Sequence, residues 1–267
     1  MSIEDLRYTP NLLTKPVLRG LAVETTLQHF VSVTYWVDPS NLRSHIHPRF
    51  KPVCLDNGGS RQALVSVVTF LDRDFRFVIC PWFKRSFGQT NYRAYVEDTQ
   101  TGEHAAWFFG TCLDSVSVAV PRYVWRLPWH RGRMDFACRY DRAAGRYAIF
   151  DVKTRSDWAS AHLAIEDSGE PPSKLADVSN LEAGLVLLTH PLRGYFFRQD
   201  GTLGTYSVWH DRTNSTVGTI QEARYPLLQQ LGLVEEGDQR NVHSVLLQPS
   251  IDFTIYLPPS RVRESAA

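Results

Sequence analysis

A chain of 267 residues with 43% hydrophobic and 21% charged residues has the composition of an ordinary globular protein, long enough to bury a core without disulfides or metals. Its formal net charge of +1 gives no overall basic field, and its lysines and arginines are scattered, so no nucleic-acid partner is expected. No apolar run approaches the ~18 residues of a membrane-crossing helix, and Met1 to Asp5 lack the apolar stretch of a secretory signal; a cytoplasmic protein with no membrane partner is expected.

Short β-like runs dominate in chain order. Gln28 to Trp36 is rich in β-branched and aromatic residues, and Asp38-Pro-Ser-Asn stops it, with one helical turn opening at Pro39. Ala63 to Leu71 is nearly continuously apolar, as in a strand buried on both faces. Asp74 to Cys80 alternates, and so does Tyr92 to Val96, which turns through Glu97 to Gly102 into a partner strand at Ala105 to Gly110. Asp114-Ser115 can cap a short helix over Val116 to Arg126, with Pro121 as a first-turn residue or a kink. Met134 to Tyr140 and Tyr147 to Lys153 form a hairpin pattern, and Ala159 to Ile165 adds a strand. After a surface loop at Asp167 to Ser173, Asn180 to Leu188 has helical spacing, and Gly194 to Arg198 and Thr205 to Trp209 flank a turn at Asp200-Gly201. Ile220 to Leu231 is expected to be partly helical and to end at Gly232, and Val242 to Gln248 and Asp252 to Leu257 are expected as two closing strands.

The cysteines Cys54, Cys80, Cys112 and Cys138 form no CxxC or Cys/His cluster and are expected as reduced thiols. His45 and His47 share a face if extended, yet two ligands without a third make no site, so no metal is expected. No Gly-x-Ser-x-Gly elbow supports a serine hydrolase. Trp107, Phe108 and Phe109 are expected in the core.

Arg122-Tyr-Val-Trp-Arg-Leu-Pro-Trp-His130 resembles the active-site lysine segment of the acetoacetate decarboxylase-like superfamily, Arg-Glu-Ile-Trp-Gly-Phe-Pro-Lys-Lys. Arg122, Trp125 and Pro128 match in register, Tyr123 stands in place of the Glu, and Trp129 and His130 stand in place of the two Lys. Phe87-Gly-Gln-Thr-Asn-Tyr-Arg-Ala-Tyr-Val96 is similar to Phe-Pro-Glu-x-Asn-x-Arg-Thr-Tyr-Val of the YqjF-like branch, an uncharacterised bacterial group, with Gln89 in place of its Glu. Ala106-Trp-Phe-Phe109 and Leu127-Pro-Trp129 resemble two further blocks, and weaker echoes follow at Leu188 to Arg193, Val208 to His210 and His243 to Val245.

The resemblance covers roughly residues 25–258 and implies one domain there, between an N-terminal extension, 1–24, and a C-terminal tail, 259–267. It implies a mainly β (β-rich α+β) fold: a closed, cone-like antiparallel β barrel with a few short packing helices and a small ligand inside.

Schiff-base decarboxylation needs an amine that is neutral near pH 7, supplied by a desolvated lysine. Imidazole at His130 cannot form the iminium, and Gln89 cannot take a proton as Glu does. What remains suits a carboxylate or carbonyl: Arg93, Arg122, Gln89, Asn91 and Trp129 as substrate-binding residues, with His130 and Tyr123 moving protons. The expected ligand is a small acidic or aromatic metabolite, an oxo- or hydroxy-acid in a lyase-type reaction, with no cofactor. A non-catalytic metabolite-binding barrel and an interaction scaffold stay open as alternatives, as does a homo-oligomer.

Overall fold

The computed structural model describes residues 3–175, 178 and 180–262. Its strands are β1 (Val23–Val37), β2 (Phe50–Pro52), β3 (Cys54–Asn57), β4 (Ser60–Phe77), β5 (Arg85–Asp98), β6 (His104–Leu113), β7 (Trp129–Arg131), β8 (Arg133–Asp141), β9 (Arg146–Arg155), β10 (Ala161–Asp167), β11 (Arg193–Phe197), β12 (Leu203–His210), β13 (Thr216–Arg224) and β14 (Ser244–Arg261). The α-helices are short: α1 (Pro10–Leu13), α2 (Pro39–Arg43), α3 (Ala119–Val124), α4 (Leu181–Thr189) and α5 (Pro226–Gln230). None is long and apolar enough to cross a membrane.

Seven strands form a ring in the order β1-β4-β5-β6-β11-β12-β14, and β14 pairs back onto β1. The mainly β fold with short packing helices is as expected, but the ring is rough rather than a strictly closed antiparallel barrel. Its β6–β11 ladder is parallel and joins only Gly194, Tyr195 and Phe196 to Ala106, Trp107 and Phe108. From β14 the sheet also runs on through β13, β10, β9 and β8.

That continuation covers the outside of the ring. Val33 and Tyr35 of β1, Val65 and Val67 of β4, and Tyr92 and Ala94 of β5 share one core with Phe150, Val152, Leu163 and Ile165 of the covering sheet. The alternate residues of the same strands point into the ring, where Val68 and Phe70 line a cavity. Both faces of β4 are therefore buried, which accounts for its unbroken apolar run.

In β1 the inward face changes parity. Leu27 and Phe30 both line the cavity although three residues apart, because the pairing with β4 shifts between Gln28 and Val31 and His29 adopts a φ of 51°. This is a β-bulge, which inserts a residue and re-aims the rest of the strand.

One end of the ring is plugged by α4. Val186, Leu187 and Leu188 pack with Leu64, Tyr95, Leu246 and the N-terminal Leu6. Asn180 caps the helix by accepting from the Glu182 amide, and the Glu182 carboxylate accepts in turn from the Tyr8 amide at 2.9 Å.

Three expected elements differ. Within 220–231 only Pro226–Gln230 is α-helix: Thr216–Arg224 is strand and pairs with β10, while Pro226 at the first helical position delays the helix to α5. Gly232 does follow that helix, at a φ of 64°. The two closing strands are one, β14, held continuous by its ladder with β1. The helix over 116–126 is a 3-10 turn, Val116–Val118, running into α3, whose first turn holds Pro121 where no amide is needed.

Trp107 is 1% exposed, with Phe50 and Phe197 against its ring. Trp107→Ala should lower the unfolding free energy by about 3–5 kcal/mol, read as a lower midpoint in urea.

Candidate functional site

The ring encloses a cavity of about 70 Å³. At ~10–15 Å³ per water-sized probe this is room for several water molecules, or for a ligand of a few heavy atoms. Leu27, Phe30, Val68, Phe70, Phe253 and Ile255 make most of its wall apolar, and Asp72, Gln89, Asn91, Arg93, Tyr206 and His210 supply the polar groups.

Gln89, Asn91 and Arg93 fall at alternate positions of β5 and so share its inward face. Gln89 Nε2 donates to Asn91 Oδ1 at 2.9 Å, and Thr111 Oγ1 donates to the same oxygen at 2.7 Å. Both lone pairs of that oxygen are used, so the Asn91 amide is locked with its NH2 free to serve a ligand.

Arg93 lies where α4 ends. Its Nη2 donates to the Leu188 carbonyl at 2.9 Å, and Tyr95 Oη donates to the same carbonyl at 3.0 Å. The guanidinium thus meets the negative end of the helix, a favourable placement for a cation. Its Nε is buried without a partner, and its bonds among the described residues go to a carbonyl and a phenol rather than to a carboxylate. Nearby, burial raises the Tyr206 phenol while Arg93 works against that rise. Burial lowers the His210 imidazole, opposed by the Asp211 and Thr189 carbonyls 2.8 and 2.9 Å from its two ring nitrogens. Gly194 lets the Phe108 and Tyr206 rings close in: a Cβ there would stand 2.6 Å from Phe108 Cε2.

Asp72 occupies the other end. In the β4–β5 register it faces Phe87, whereas Arg93 faces Ser66. Its Oδ1 accepts from Thr25 Oγ1 at 3.0 Å, and its Oδ2 is buried with no partner. Burial pushes this carboxyl up to about 7, only partly countered by Thr25.

The expected site residues divide. Gln89, Asn91, Arg93 and Trp129 line the cavity; Arg122, Tyr123 and His130 do not. β7 runs beside β6 with Trp129 opposite Thr111 and His130 opposite Cys112, so consecutive side chains face opposite ways. His130 stacks on Trp158 at 4.1 Å outside the cavity, with its Nδ1 3.2 Å from Arg122 Nη1. Burial, aided by the Arg122 charge, pulls it to about 4, so the ring is neutral at pH 7. Arg122 also donates to the Trp129 carbonyl at 2.7 Å, and Tyr123 is 72% exposed. No lysine lines the cavity among the described residues: Lys84 pairs with Asp74 at the surface and Lys153 is exposed on β9. His45 bonds the Leu231 carbonyl, and no group of three or more His, Cys, Asp or Glu is placed to hold a metal among the described residues.

Asp72, Tyr206 and His210 are members of the wall that sequence reasoning misses. Asp72 carries a signal, since it continues the inward face of the apolar run from Ala63 as a carboxylate.

A family model, DUF2071, described as an uncharacterized conserved protein, matches residues 24–252. The chain belongs to this family. Solved structures of acetoacetate decarboxylase-like enzymes share its fold. Acetoacetate decarboxylase from Legionella pneumophila aligns over 95% of this chain and 94% of its own, with a TM-score of 0.58 at 14% identity. An acetoacetate decarboxylase-like enzyme from Sphingomonas wittichii aligns over 93% and 95%, with a TM-score of 0.63 at 11% identity. The enduracididine biosynthesis enzyme MppR, in complex with pyruvate, aligns over 96% and 97%, with a TM-score of 0.55 at 14% identity. No curated protein matches the DUF2071 chain.

The raised Asp72 pKa makes a stability prediction. The folded state holds the proton to higher pH than the unfolded chain, so stability is greatest below the ordinary Asp value near 3.8 and falls as pH rises through about 7. Asp72→Asn should escape that loss. The variant's unfolding free energy should gain on the wild type by up to several kcal/mol between about pH 4 and pH 8, because a one-proton difference between the states is worth ~1.4 kcal/mol for each pH step of one. Urea titrations at the two ends of that range would read it.

Proposed function

We propose that this protein holds a small oxo- or hydroxy-acid in the ring, with its carboxylate on Arg93, and acts on it by a lyase-type proton transfer that uses no lysine Schiff base. The observation that carries this reading is the partly buried guanidinium of Arg93, whose Nε is buried without a partner and which no described carboxylate neutralises. Such a group is costly to bury alone and recovers that cost from an anion presenting two oxygens. The apolar wall and the small volume favour a short carbon skeleton over an extended one. Asn91 and Gln89, next along β5, offer amide groups to a carbonyl or hydroxyl oxygen.

Proton transfer in this scheme falls to Asp72, the lining carboxyl that titrates near neutral pH. Its free Oδ2 is available to a ligand, whereas His130 and Tyr123 do not line the cavity. The short acid bound by a structural neighbour, pyruvate in the MppR complex, supports the choice of ligand class.

One observation favours a second reading, a barrel that binds and does not catalyse. Arg93 is not among the groups that shift Asp72, and in the β4–β5 register Asp72 lies opposite Phe87, well along β5 from Arg93. A short ligand seated on Arg93 would then leave its reacting carbon away from the acid.

Calorimetric titration with pyruvate and other short 2-oxo and 2-hydroxy acids, beside product detection by NMR, separates the two. Arg93→Gln should weaken binding by about 30-fold or more, the cost of removing one partner of a buried charge pair. Asp72→Asn should keep affinity within a few-fold and abolish turnover. Unchanged affinity in the Arg93 variant would sink the proposal, and binding with no turnover in the wild type would select the second reading. Borohydride added to the protein with pyruvate should leave its mass unchanged; an adduct would restore a lysine Schiff base.

A further inference from the structure

The covering sheet ends at β8, and its outer edge pairs with no described strand. Side chains of β8 alternate strictly: Met134, Phe136, Cys138 and Tyr140 are half-buried, and Arg133, Asp135, Ala137, Arg139 and Asp141 are exposed. The inward set packs on the ring, where a Cβ on Gly88 would stand 2.7 Å from Phe136 Cε2. The Met134 amide is directed away from β9 and is taken by Asp114 Oδ2 at 3.1 Å. By the strand alternation, Phe136, Cys138 and Tyr140 present their backbone groups to the same open edge.

The exposed row reads Arg, Asp, Ala, Arg, Asp, which is charge-complementary to itself when reversed. A second β8 laid antiparallel about Ala137 sets Arg133 against Asp141 and Asp135 against Arg139, each twice by symmetry. Moving the centre to Phe136 sets Arg133 against Arg139; moving it to Cys138 sets Asp135 against Asp141. A slip by half that step faces exposed residues against buried ones. One register alone satisfies both the side-chain faces and the charges. None of the four charged side chains makes an ion pair within 4.0 Å among the described residues, although across β9 Asp135 lies opposite Lys153 and Asp141 opposite Arg146; Arg133 lies opposite Arg155, a like-charge pair that an incoming Asp141 would relieve.

We infer that two copies of this chain associate through β8, in an antiparallel two-fold pairing centred on Ala137 that joins their covering sheets into one. An isologous contact of this kind is self-limiting and uses up the open edge. A nine-residue strand gives a small interface, so the dimer is reversible. The inference is independent of the proposed function, because β8 contributes no side chain to the cavity.

Sedimentation velocity of the full chain across a dilution series tests it. The wild type should show a concentration-dependent monomer–dimer equilibrium. Asp135→Arg creates two like-charge pairs and should weaken dimerisation by about tenfold or more, as should Arg139→Asp. Combining the two exchanges the charges and should restore it, which a merely structural role for either residue would not produce. Ala137→Cys should give, on mild oxidation, a disulfide dimer whose peptide map joins position 137 to itself. A wild type that stays monomeric throughout would overturn the inference, and so would a dimer unmoved by the charge variants. The first outcome would mean that the charges serve to keep the edge unpaired.

Discussion

The ladder between β1 and β14 is the contact on which the interior depends. It joins Val23 through Thr34 to Ser244 through Ile255, so strands from opposite ends of the sequence close the ring. The ladder pairs the two edges that would otherwise stay open, and the cavity between the strands becomes an inside rather than a groove. Asp72 shows the effect on chemistry. The ladder packs Leu27 beside it on β1 and brings Ile251 and Phe253 to the same wall, and this enclosure holds its carboxyl near neutrality.

At the other end the electrostatics are arranged differently. Arg93 is balanced by the carbonyl that ends α4 and by the Tyr95 oxygen, partial charges rather than a full one. A carboxylate in that place would neutralise the guanidinium and leave the cavity with little call for an anion. Holding it on dipoles keeps the side chain ordered and its charge uncommitted. The closure of the ring and the docking of α4 are therefore coupled, since the helix that plugs the barrel also supplies the support for its cation.

Much of this is legible in the residues, and the gaps have definite causes. Period-two patterning locates most long strands, and the inward row Gln89, Asn91, Arg93 follows from β5 alone, because strand geometry needs no distant partner to decide which residues share a face. The strand at Thr216–Arg224 looks partly helical in sequence because its polar residues dilute the alternation, and its pairing with β10 settles the matter only in three dimensions. In the segment ending at His130, a motif match makes neighbouring positions look equivalent. The backbone is extended there, so Trp129 faces inward and His130 outward. His210 and Asp72 lie far apart in sequence and join one wall only once β14 lies between β1 and β12, an order that local patterns do not encode.

The bulge at His29 sets a limit on how the gene encoding such a ring can drift. Substitutions along β1 alter one contact at a time, but loss of a single codon between Gln28 and Val31 would rotate half the strand. Val31, Val33 and Tyr35 would turn toward the interior, and Ser32 and Thr34 toward the covering sheet. At this point the chain is constrained in its length more than in its letters, and insertions and deletions should be purged there even where amino-acid replacements are tolerated.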